Sequence, residues 1–412
     1  MNVGIFTDTY TPIINGVVTS VVQLEKELIK HNHNVFIITS SSYHKVVRVN
    51  NVIRIPGINL KKLYNNNVSG IYSLIGAKYI SDLELDVVHA QTEYGIGIFA
   101  RIIAAQFNIP LIYTYHTMME DYTHYVTKYL TRYSTRPIKH FMKSASRIYA
   151  NHCSELIVPS KKTAKAMIKY GVTKEINIIP SGIDLSRFDK SNICLNTINT
   201  LKEKYDISDD HYIFINVGRI APEKNIDMII NAFKLIHQEF INNYKFLIVG
   251  AGPSIDDLKE MVNEYQLNNN IIFIGEVKND LIPLYYHLAD VFLATSTSET
   301  QGLTYIEAMA SGLPVICKYD ENLKDLVIDN HNGFVINDVQ ELSACIKKFI
   351  NMKDDEYKLL STTAIKSVNK YSADIFYEKI IAVYQKAIKE NSQNDKDIKY
   401  PGGIRTLSSF FR

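Results

Sequence analysis

Several patterns are missing from this chain of 412 residues, and each absence excludes a class of protein. No run of about 18 apolar residues occurs, which predicts that no helix spans a membrane. The first residues, MNVGIFTDTY, lack the basic start and long apolar stretch of a signal peptide and predict a buried strand instead. Tryptophan is absent, and the few cysteines have no metal-binding or redox spacing: Cys153, Cys194, Cys317 and Cys345. We therefore expect reduced thiols and a cytoplasmic protein.

Two further absences narrow the class of protein. The 45 Lys and Arg residues almost balance the 43 Asp and Glu residues, so the overall charge indicates no nucleic-acid partner. No GxGxxG motif follows the first predicted strand, which disfavours a dinucleotide-dependent dehydrogenase. What is present is an apolar fraction of 46%, enough for large cores. The length predicts about two or three domains.

Short apolar runs alternate with longer helical patterns along the whole chain, which predicts an α/β protein with parallel sheets. Predicted strands include Val3–Phe6, Val87–Ala90 and Tyr212–Val217, and predicted helices include Gly95–Phe107. Two such series are separated by the polar and weakly periodic stretch 181–210. We therefore predict two doubly wound, Rossmann-like units with a boundary in that stretch.

The segment 298–316, SETQGLTYIEAMASGLPVI, holds two glutamates eight positions apart, Glu299 and Glu307. The strand pattern Val291–Ala294 precedes it, and a helical pattern follows the loop Gln301–Thr304. A helix N-terminus presents free N–H groups and partial positive charge, which suit a phosphate. Carboxylates accept hydrogen bonds strongly, which suits sugar hydroxyls. Together these groups indicate a nucleotide sugar.

Two motifs of the first half fall where a loop follows a strand. Asn15 and Gly16 precede a predicted helix, and the small Gly16 allows close approach of a phosphate to the backbone. His116 follows a predicted strand end, the edge that lines the ligand crevice of an open α/β sheet. From the residues alone, an ordinary connecting loop and a structural histidine remain the alternatives.

Two motifs of the second half have the same placement. Arg219 and Lys224 flank Pro222 directly after a predicted strand, so both cations could face one diphosphate, with two solvated surface cations as the alternative. The sequence Gly250-Ala251-Gly252-Pro253 follows another strand. A lone GxG is weak evidence, because a tight strand-to-helix turn needs the same residues.

A basic stretch lies between Asp121 and Glu155, an interval without any acidic residue. Its cations recur at spacings of three and four and so share a helical face: Lys128, Arg132, Arg136, Lys139, Lys143 and Arg147. Aromatic and apolar residues lie among them, as in a helix that binds a membrane surface. Each cation near an anionic leaflet contributes about 1 kcal/mol. We predict an anionic membrane surface as a partner. A solvated helix face is the alternative, and no nucleic-acid module accompanies the cations.

These motifs together resemble retaining GT-B glycosyltransferases of family GT4. The segment 298–316 resembles the family's E-x7-E signature, and the other motifs follow the family's order over essentially the whole chain, including Pro180-Ser181-Gly182-Ile183-Asp184. The N-terminal half and the basic stretch are most similar to bacterial members that glucosylate diacylglycerol. Many members carry Phe before the loop glycine, where this chain has Gln301, so the donor sugar stays open.

The resemblance implies a GT-B fold, in which two Rossmann-like domains face a cleft and a C-terminal helix crosses back to the first. Residues 1–185 with 371–412 would form the acceptor-binding domain, and 186–370 the nucleotide-sugar domain. No metal and no cofactor are implied, because cations and the helix dipole replace a metal and the donor is a UDP-sugar. Neither the oligomeric state nor the choice of UDP over GDP follows from the sequence.

The resemblance also assigns roles. Glu299 would bind donor-sugar hydroxyls, Glu307 the ribose hydroxyls, and His116 the sugar near its 6-position. Arg219 and Lys224 would neutralise the leaving diphosphate. The remaining diphosphate contacts would come from the backbone at Gly16, Gly302, Leu303 and Thr304.

The expected reaction transfers a hexose, taken as glucose, from a UDP-sugar to diacylglycerol with retention of the anomeric configuration, at the inner face of the cell membrane. The alternatives are a family member acting on a glycan, teichoic acid or protein, and a nucleotide-sugar epimerase or non-catalytic sugar-binding protein.

Overall fold

The computed structural model describes residues 1–13, 15–60, 66–116, 135–241, 243–296, 299 and 301–397, with only the backbone at 58–60, 66–68, 135–139 and 394–397. Lys128 and Arg132 of the basic stretch lie outside these residues. Two mainly parallel sheets form, each with helices on both faces. This confirms the predicted α/β class with two doubly wound units.

The first sheet has the spatial order β3-β4-β2-β1-β6-β7-β8-β9, with β5 paired to β4. Its strands are β1 (Asn2–Thr7), β2 (Asn34–Ser41), β3 (Val47–Val49), β4 (Val52–Leu60), β5 (Asn66–Ser69), β6 (Val87–Ala90), β7 (Leu111–Thr114), β8 (Glu155–Val158) and β9 (Ile176–Ile178). Among the described strands, only the pairs β3–β4 and β4–β5 are antiparallel. The central strands are buried on both faces, so they read as continuous apolar runs.

Helices cover both faces of this sheet. They are α1 (Gly16–Lys30), α2 (Leu74–Ser81), α3 (Gly95–Phe107), α4 (Thr135–Asn151) and α5 (Lys161–Lys169). Residues of α2, α3, α4 and α5 share one core, which includes Phe99 and Met167. Residues of α1 share the core on the other face, which includes Leu24 and Leu28.

The second sheet has the order β12-β11-β10-β13-β14-β15, and all its pairs are parallel. Its strands are β10 (Tyr212–Val217), β11 (Tyr244–Val249), β12 (Ile271–Gly275), β13 (Val291–Ala294), β14 (Val315–Lys318) and β15 (Gly333–Ile336). The order reverses between β10 and β13, so the loops after these two strands diverge and leave a crevice at their carboxyl ends.

Helices of the second unit again cover both faces of the sheet. They are α6 (Leu195–Lys204), α7 (Ile226–Phe240), α8 (Ile255–Glu264), α9 (Ile282–Leu288), α10 (Leu303–Ala310), α11 (Val339–Ile350) and α12 (Asp354–Val368). The core with Phe233 joins α7, α8 and α11 to the sheet. The core with Tyr286 and Ile306 joins α6, α9, α10 and α12 to it.

The chain returns to the first sheet through the helix α13 (Ala373–Asp397). At the crossing, Ile183 pairs with Ser372 as an isolated β-bridge. The hydroxyl of Tyr384 on α13 lies 2.7 Å from Nδ1 of His89 on β6. Lys386 forms an ion pair of 2.9 Å with Glu155 of β8, whose side chain is almost fully buried. These contacts confirm the predicted C-terminal helix that crosses back to the N-terminal unit.

Candidate active site

A crevice of the second unit opens at the carboxyl ends of β10 and β13, where the strand order reverses. Among the described residues that line it are Gly218, Lys224, Ser296, Glu299 and Thr304. Residues from the loop after β10, the loop after β13 and the start of α10 therefore meet in one place. This is the edge of a doubly wound sheet at which ligands bind.

Lys224 and Glu299 face each other across this crevice as an ion pair, with 2.6 Å between Nζ and Oε1. Their side chains are 30% and 12% exposed, so a ligand can reach both. Thr295 fixes the position of Lys224, because its hydroxyl donates to the carbonyl oxygens of Lys224 and Asn225. The cation and the carboxylate are thus held together before any ligand binds.

Arg219 lies directly after β10, and its guanidinium approaches Glu223 at 3.7 Å while remaining 39% exposed. The backbone at the preceding Gly218 has φ +152, a conformation that favours glycine. The GxG turn packs against this loop. A Cβ atom on Gly250 would lie 1.9 Å from the carbonyl oxygen of Gly218, and one on Gly252 would lie 2.1 Å from that of Ile220. The GxG motif therefore has a packing role here.

The helix α10 begins at Leu303, with Gly302 as its N-cap. Gly302 has φ +75, a backbone conformation that residues with a Cβ atom rarely adopt, so glycine is favoured at this position. Leu303 and Thr304 are the first two helical residues, and Thr304 lines the crevice. The first N–H groups of a helix have no partner within the helix, so they are available to an anion.

Glu307 lies one turn into α10, and its carboxylate is bound by a residue of α9. The hydroxyl of Tyr286 lies 3.1 Å from its Oε2 and 3.2 Å from the carbonyl oxygen of Thr304. Burial raises the pKa of Glu307 to about 7, although the hydrogen bond from Tyr286 and the charge of Arg187 oppose the shift. Glu307 thus changes its charge near neutral pH.

Gln301, the residue that replaces the family's Phe, contacts the first unit. Its Oε1 accepts a hydrogen bond of 2.8 Å from the backbone N–H of Ser181. Its Nε2 donates one of 2.8 Å to the carbonyl oxygen of the same residue. The sequence shows that Gln301 departs from the family's Phe, but no local pattern identifies Ser181 as its partner.

Gly16 and His116 belong to the first unit. Gly16 is the first residue of α1 and is exposed, and Oδ1 of Asn15 caps the helix by accepting from the N–H of Val18. Nε2 of His116 lies 2.5 Å from Oε1 of Gln91, and burial lowers the pKa of His116 to about 4. In the part of the chain that the structure describes, no hydrogen bond or ion pair links Gly16 or His116 to Lys224 or Glu299.

Buried acids at the carboxyl ends of β1 and β6 were missed by the sequence analysis. Asp8 accepts from the hydroxyl of Thr92 at 2.6 Å and from the N–H of Ile96 at 3.0 Å, so it caps α3. Glu93 accepts from the hydroxyl of Tyr113 at 2.7 Å, and burial raises the pKa of Glu93 to about 7. Both acids follow a predicted strand, but many residues of ordinary loops do so too, and this position alone does not identify a functional residue.

The basic stretch is only partly described. Arg136 and Lys139 lie on α4, of which the first five residues have only a described backbone. Nζ of Lys143 lies 5.4 Å from the ring centre of Tyr170, and Arg147 is exposed. Phe141 on the same helix is 73% exposed. The helix itself is present, and its described side chains include one exposed cation, Arg147, and one exposed aromatic residue, Phe141, while binding to a membrane surface stays a prediction.

A second exposed apolar surface lies at α2, which the sequence analysis did not predict as a helix. Leu74 is 77% exposed, and Ile71 and Ile75 are exposed by 59% and 60%. The run of apolar residues in SGIYSLIGAKYI was the available signal, but it lacks an amphipathic pattern.

None of the helices in the described ranges has the length and apolarity needed to cross a membrane. The described residues also contain no group of three or more His, Cys, Asp or Glu that could hold a metal ion.

Comparison with protein families and with known proteins agrees with this geometry. Residues 14–187 match the model described as Glycosyltransferase Family 4, and residues 197–367 match Glycosyl transferases group 1. The chain is 37% identical to the alpha-monoglucosyldiacylglycerol synthase of Acholeplasma laidlawii, over 95% of this chain and 99% of that protein. It is 32% identical to the enzyme of the same name from Streptococcus pneumoniae, over 95% of this chain and 87% of that one.

Solved structures show the same architecture at low sequence identity. HepE from Anabaena, in complex with UDP and glucose, superposes with a TM-score of 0.72 at 18% identity, covering 93% of this chain and 99% of that one. Sucrose-phosphate synthase from Thermosynechococcus elongatus gives a TM-score of 0.72 at 19% identity, covering 94% and 99%. The chain is a glycosyltransferase with the GT-B fold, and it belongs to glycosyltransferase family 4.

Proposed function

We propose that this glycosyltransferase transfers glucose from UDP-glucose to diacylglycerol, retains the anomeric configuration and needs no metal ion. The observation that carries the proposal is the Lys224–Glu299 pair at the start of α10, in a chain similar over 95% of its length to two alpha-monoglucosyldiacylglycerol synthases. The pair places a cation and a hydrogen-bond acceptor beside a helix N-terminus, as a sugar diphosphate requires.

In the proposed donor complex, Glu299 accepts hydrogen bonds from sugar hydroxyls and Glu307 from ribose hydroxyls. Lys224, Arg219 and the N–H groups of Gly302, Leu303 and Thr304 bind the diphosphate, with Gly16 approaching it from the first unit. His116 contacts the sugar near its 6-position from the acceptor side. The ion pair of Lys224 with Glu299 in the unliganded protein keeps both groups oriented, and the arriving diphosphate and hydroxyls then share them.

The proposed reaction breaks the bond between C1 of the sugar and the phosphate oxygen and forms one between C1 and the acceptor oxygen on the same face. Negative charge grows on the diphosphate in the transition state, where Lys224, Arg219 and the helix N-terminus stabilise it more than in the ground state. The acceptor's proton passes to a phosphate oxygen of the leaving UDP. Fixed cations take the place that a divalent metal has in other transferases.

The lipid acceptor is supported by the exposed surfaces of the first unit. The cations of α4 attract an anionic leaflet, and the apolar residues Ile71, Leu74 and Ile75 can enter its interfacial layer. We propose peripheral association with the inner face of the cell membrane. We also propose that residues 1–185 with 371–412 form the acceptor-binding domain and that 186–370 form the donor-binding domain.

The test is an assay with labelled UDP-sugars and a mixture of diacylglycerol in vesicles, soluble glycans and a teichoic acid, with and without EDTA. We expect label from UDP-glucose in a chloroform-soluble product, an α-anomeric signal in its NMR spectrum, and no loss of rate with EDTA. Label found only in a soluble glycan contradicts the lipid acceptor. Label from a GDP-sugar alone contradicts the donor.

A further inference from the structure

The loop that carries Glu299 is held at two points by residues of the first unit. Gln301 forms both of its hydrogen bonds with the backbone of Ser181, from which it is separated by 120 positions. Asn322 forms the second connection. Its Nδ2 donates to the carbonyl oxygen of Glu299, and its Oδ1 accepts a hydrogen bond of 3.0 Å from the hydroxyl of Ser160.

Ser181 lies in the segment where the chain passes from one sheet to the other. The next residues of this segment are tied to the start of α13, because the N–H of Ile183 donates to Tyr371 and the carbonyl oxygen of Ile183 accepts from Ala373. The hydroxyl of Ser181 also lies 2.8 Å from that of Ser20 on α1. Gln301 thus connects the donor loop to both the crossing segment and α1, the helix that begins at Gly16.

Ser160 is the N-cap of α5 in the first unit. Lysines of α5 form ion pairs with the same loop of the second unit that contains Asn322: Lys161 with Asp325, Lys162 with Asp320 and Lys165 with Glu321. Most of these side chains are exposed, and exposed ion pairs contribute little. The more protected hydrogen bonds of Asn322 are therefore expected to dominate this connection.

We propose that Gln301 and Asn322 are positioning residues that complete the donor site only when the two units are in contact. Each amide uses its donor and its acceptor at once, and each joins the loop around Glu299 to a different part of the first unit. With both in place, the carboxylate of Glu299 and the start of α10 have one fixed position. Preorganised groups of this kind stabilise a transition state without reorganising during the reaction. The inference rests on the proposed function, in that Glu299 binds the donor sugar.

The test replaces each amide by an apolar side chain of similar size, in Gln301→Met, Asn322→Leu and the double variant. Gln340→Met and Asn196→Leu alter exposed amides of the second unit and serve as controls. We expect kcat to fall about tenfold in each single variant, as for the loss of the hydrogen bonds of one side chain. The dissociation constant of UDP should stay within about twofold, because the diphosphate groups remain. The double variant should lose less than the product of the single effects, since both residues fix one loop.

Hydrogen exchange gives a readout that needs no acceptor. The amide of Ser181 donates directly to Gln301, so its exchange should accelerate in Gln301→Met and remain unchanged in the control variants. Wild-type kcat together with wild-type exchange at Ser181 overturns the proposal. So does an equal loss of kcat and UDP affinity, which indicates general damage to the fold. UDP affinity and Ser181 exchange decide the positioning role even where diacylglycerol proves not to be the acceptor.

Discussion

The carboxyl edges of the two similar sheets carry polar groups that are arranged differently. In the second unit, Lys224, Glu299 and Arg219 are partly exposed at the mouth of the crevice. In the first unit, Asp8 and Glu93 are buried and bound by hydroxyl and N–H groups of their own unit. A charged donor needs accessible charges, whereas a lipid acceptor with a neutral head group needs few. This difference fits the proposed function, in which the crevice of the second unit recognises the charged donor and the first unit binds the lipid acceptor.

Removing a charge from the donor crevice should have the largest effect on activity. Lys224→Ala should lower kcat/KM about 1,000-fold, because the lost cation stabilises charge that grows on the leaving diphosphate. Glu299→Gln should lower it comparably while the far-ultraviolet spectrum stays unchanged. Lys278→Ala alters an exposed lysine after β12 and should retain wild-type activity. Unchanged turnover in Lys224→Ala would remove this residue from its proposed role.

The next largest effect is expected on vesicle binding, from the exposed apolar surface at α2. The triple variant Ile71→Ser, Leu74→Ser and Ile75→Ser should weaken binding to vesicles with anionic lipid roughly 100-fold, since each side chain gives up about 1 kcal/mol of apolar burial. Sedimentation with vesicles measures this. Leu359→Ser with Ile365→Ser removes exposed apolar residues of α12 in the second unit and should leave binding unchanged. Equal loss in both sets would show that the contact is not specific to the first unit.

Glu307 should make the free energy of unfolding depend on pH. Its pKa is raised to about 7 in the folded protein, so the unfolded chain loses this proton at lower pH and the free energy of unfolding falls as the pH rises from about 4.5 to 7. Glu307→Gln should therefore raise the free energy of unfolding by about 3 kcal/mol at pH 8 and by little at pH 4.5. Urea denaturation at both values measures the difference, with Glu260→Gln as an exposed control. An equal gain at both values would contradict the burial of this carboxyl group.

The smallest effect on kcat/KM is expected from His116, which follows β7 in the first unit. Its pKa of about 4 keeps the imidazole neutral from pH 6 to 8, so its titration should not appear in the rate profile over that range. His116→Gln retains a neutral polar side chain and should lower kcat/KM about fivefold, the size of one altered hydrogen bond. The pH–rate profiles of the two proteins should have the same shape. A step near pH 6.5 that disappears in the variant would show that the imidazole is charged during the reaction.

Much of the fold could be predicted from local patterns. The strands Val87–Ala90, Tyr212–Val217 and Val291–Ala294 and the helix Gly95–Phe107 have the predicted bounds. These strands are buried on both faces, so hydrophobicity alone identifies them. The helix α2 was missed because it has apolar residues on both its buried and its exposed side, Ala77 and Ile80 against Leu74 and Ile75, which leaves no amphipathic period. The helix α11 was also missed, although Leu342, Ile346 and Phe349 share one helical face.

The site was predictable as a set of residues but not as a set of contacts. Glu299 and Glu307 could be found because a strand, a loop and a helix follow one another within a few residues. The burial that raises the pKa of Glu307 depends on Tyr286, which belongs to another helix. The contact of Gln301 could not be predicted from the sequence either, because its partner Ser181 lies in the first unit.

Local sequence patterns are enough to predict the order of strands and helices, the two glutamates around a glycine loop, the cations after β10 and the glycosyltransferase family. These features are local, because they depend on periodicity and on spacing within one element and its loop. The tertiary structure decided which groups meet. Lys224 reaches Glu299 across 75 positions, and Gln301 reaches Ser181 across 120. Such pairs depend on the path of the backbone through both sheets, which no local pattern specifies.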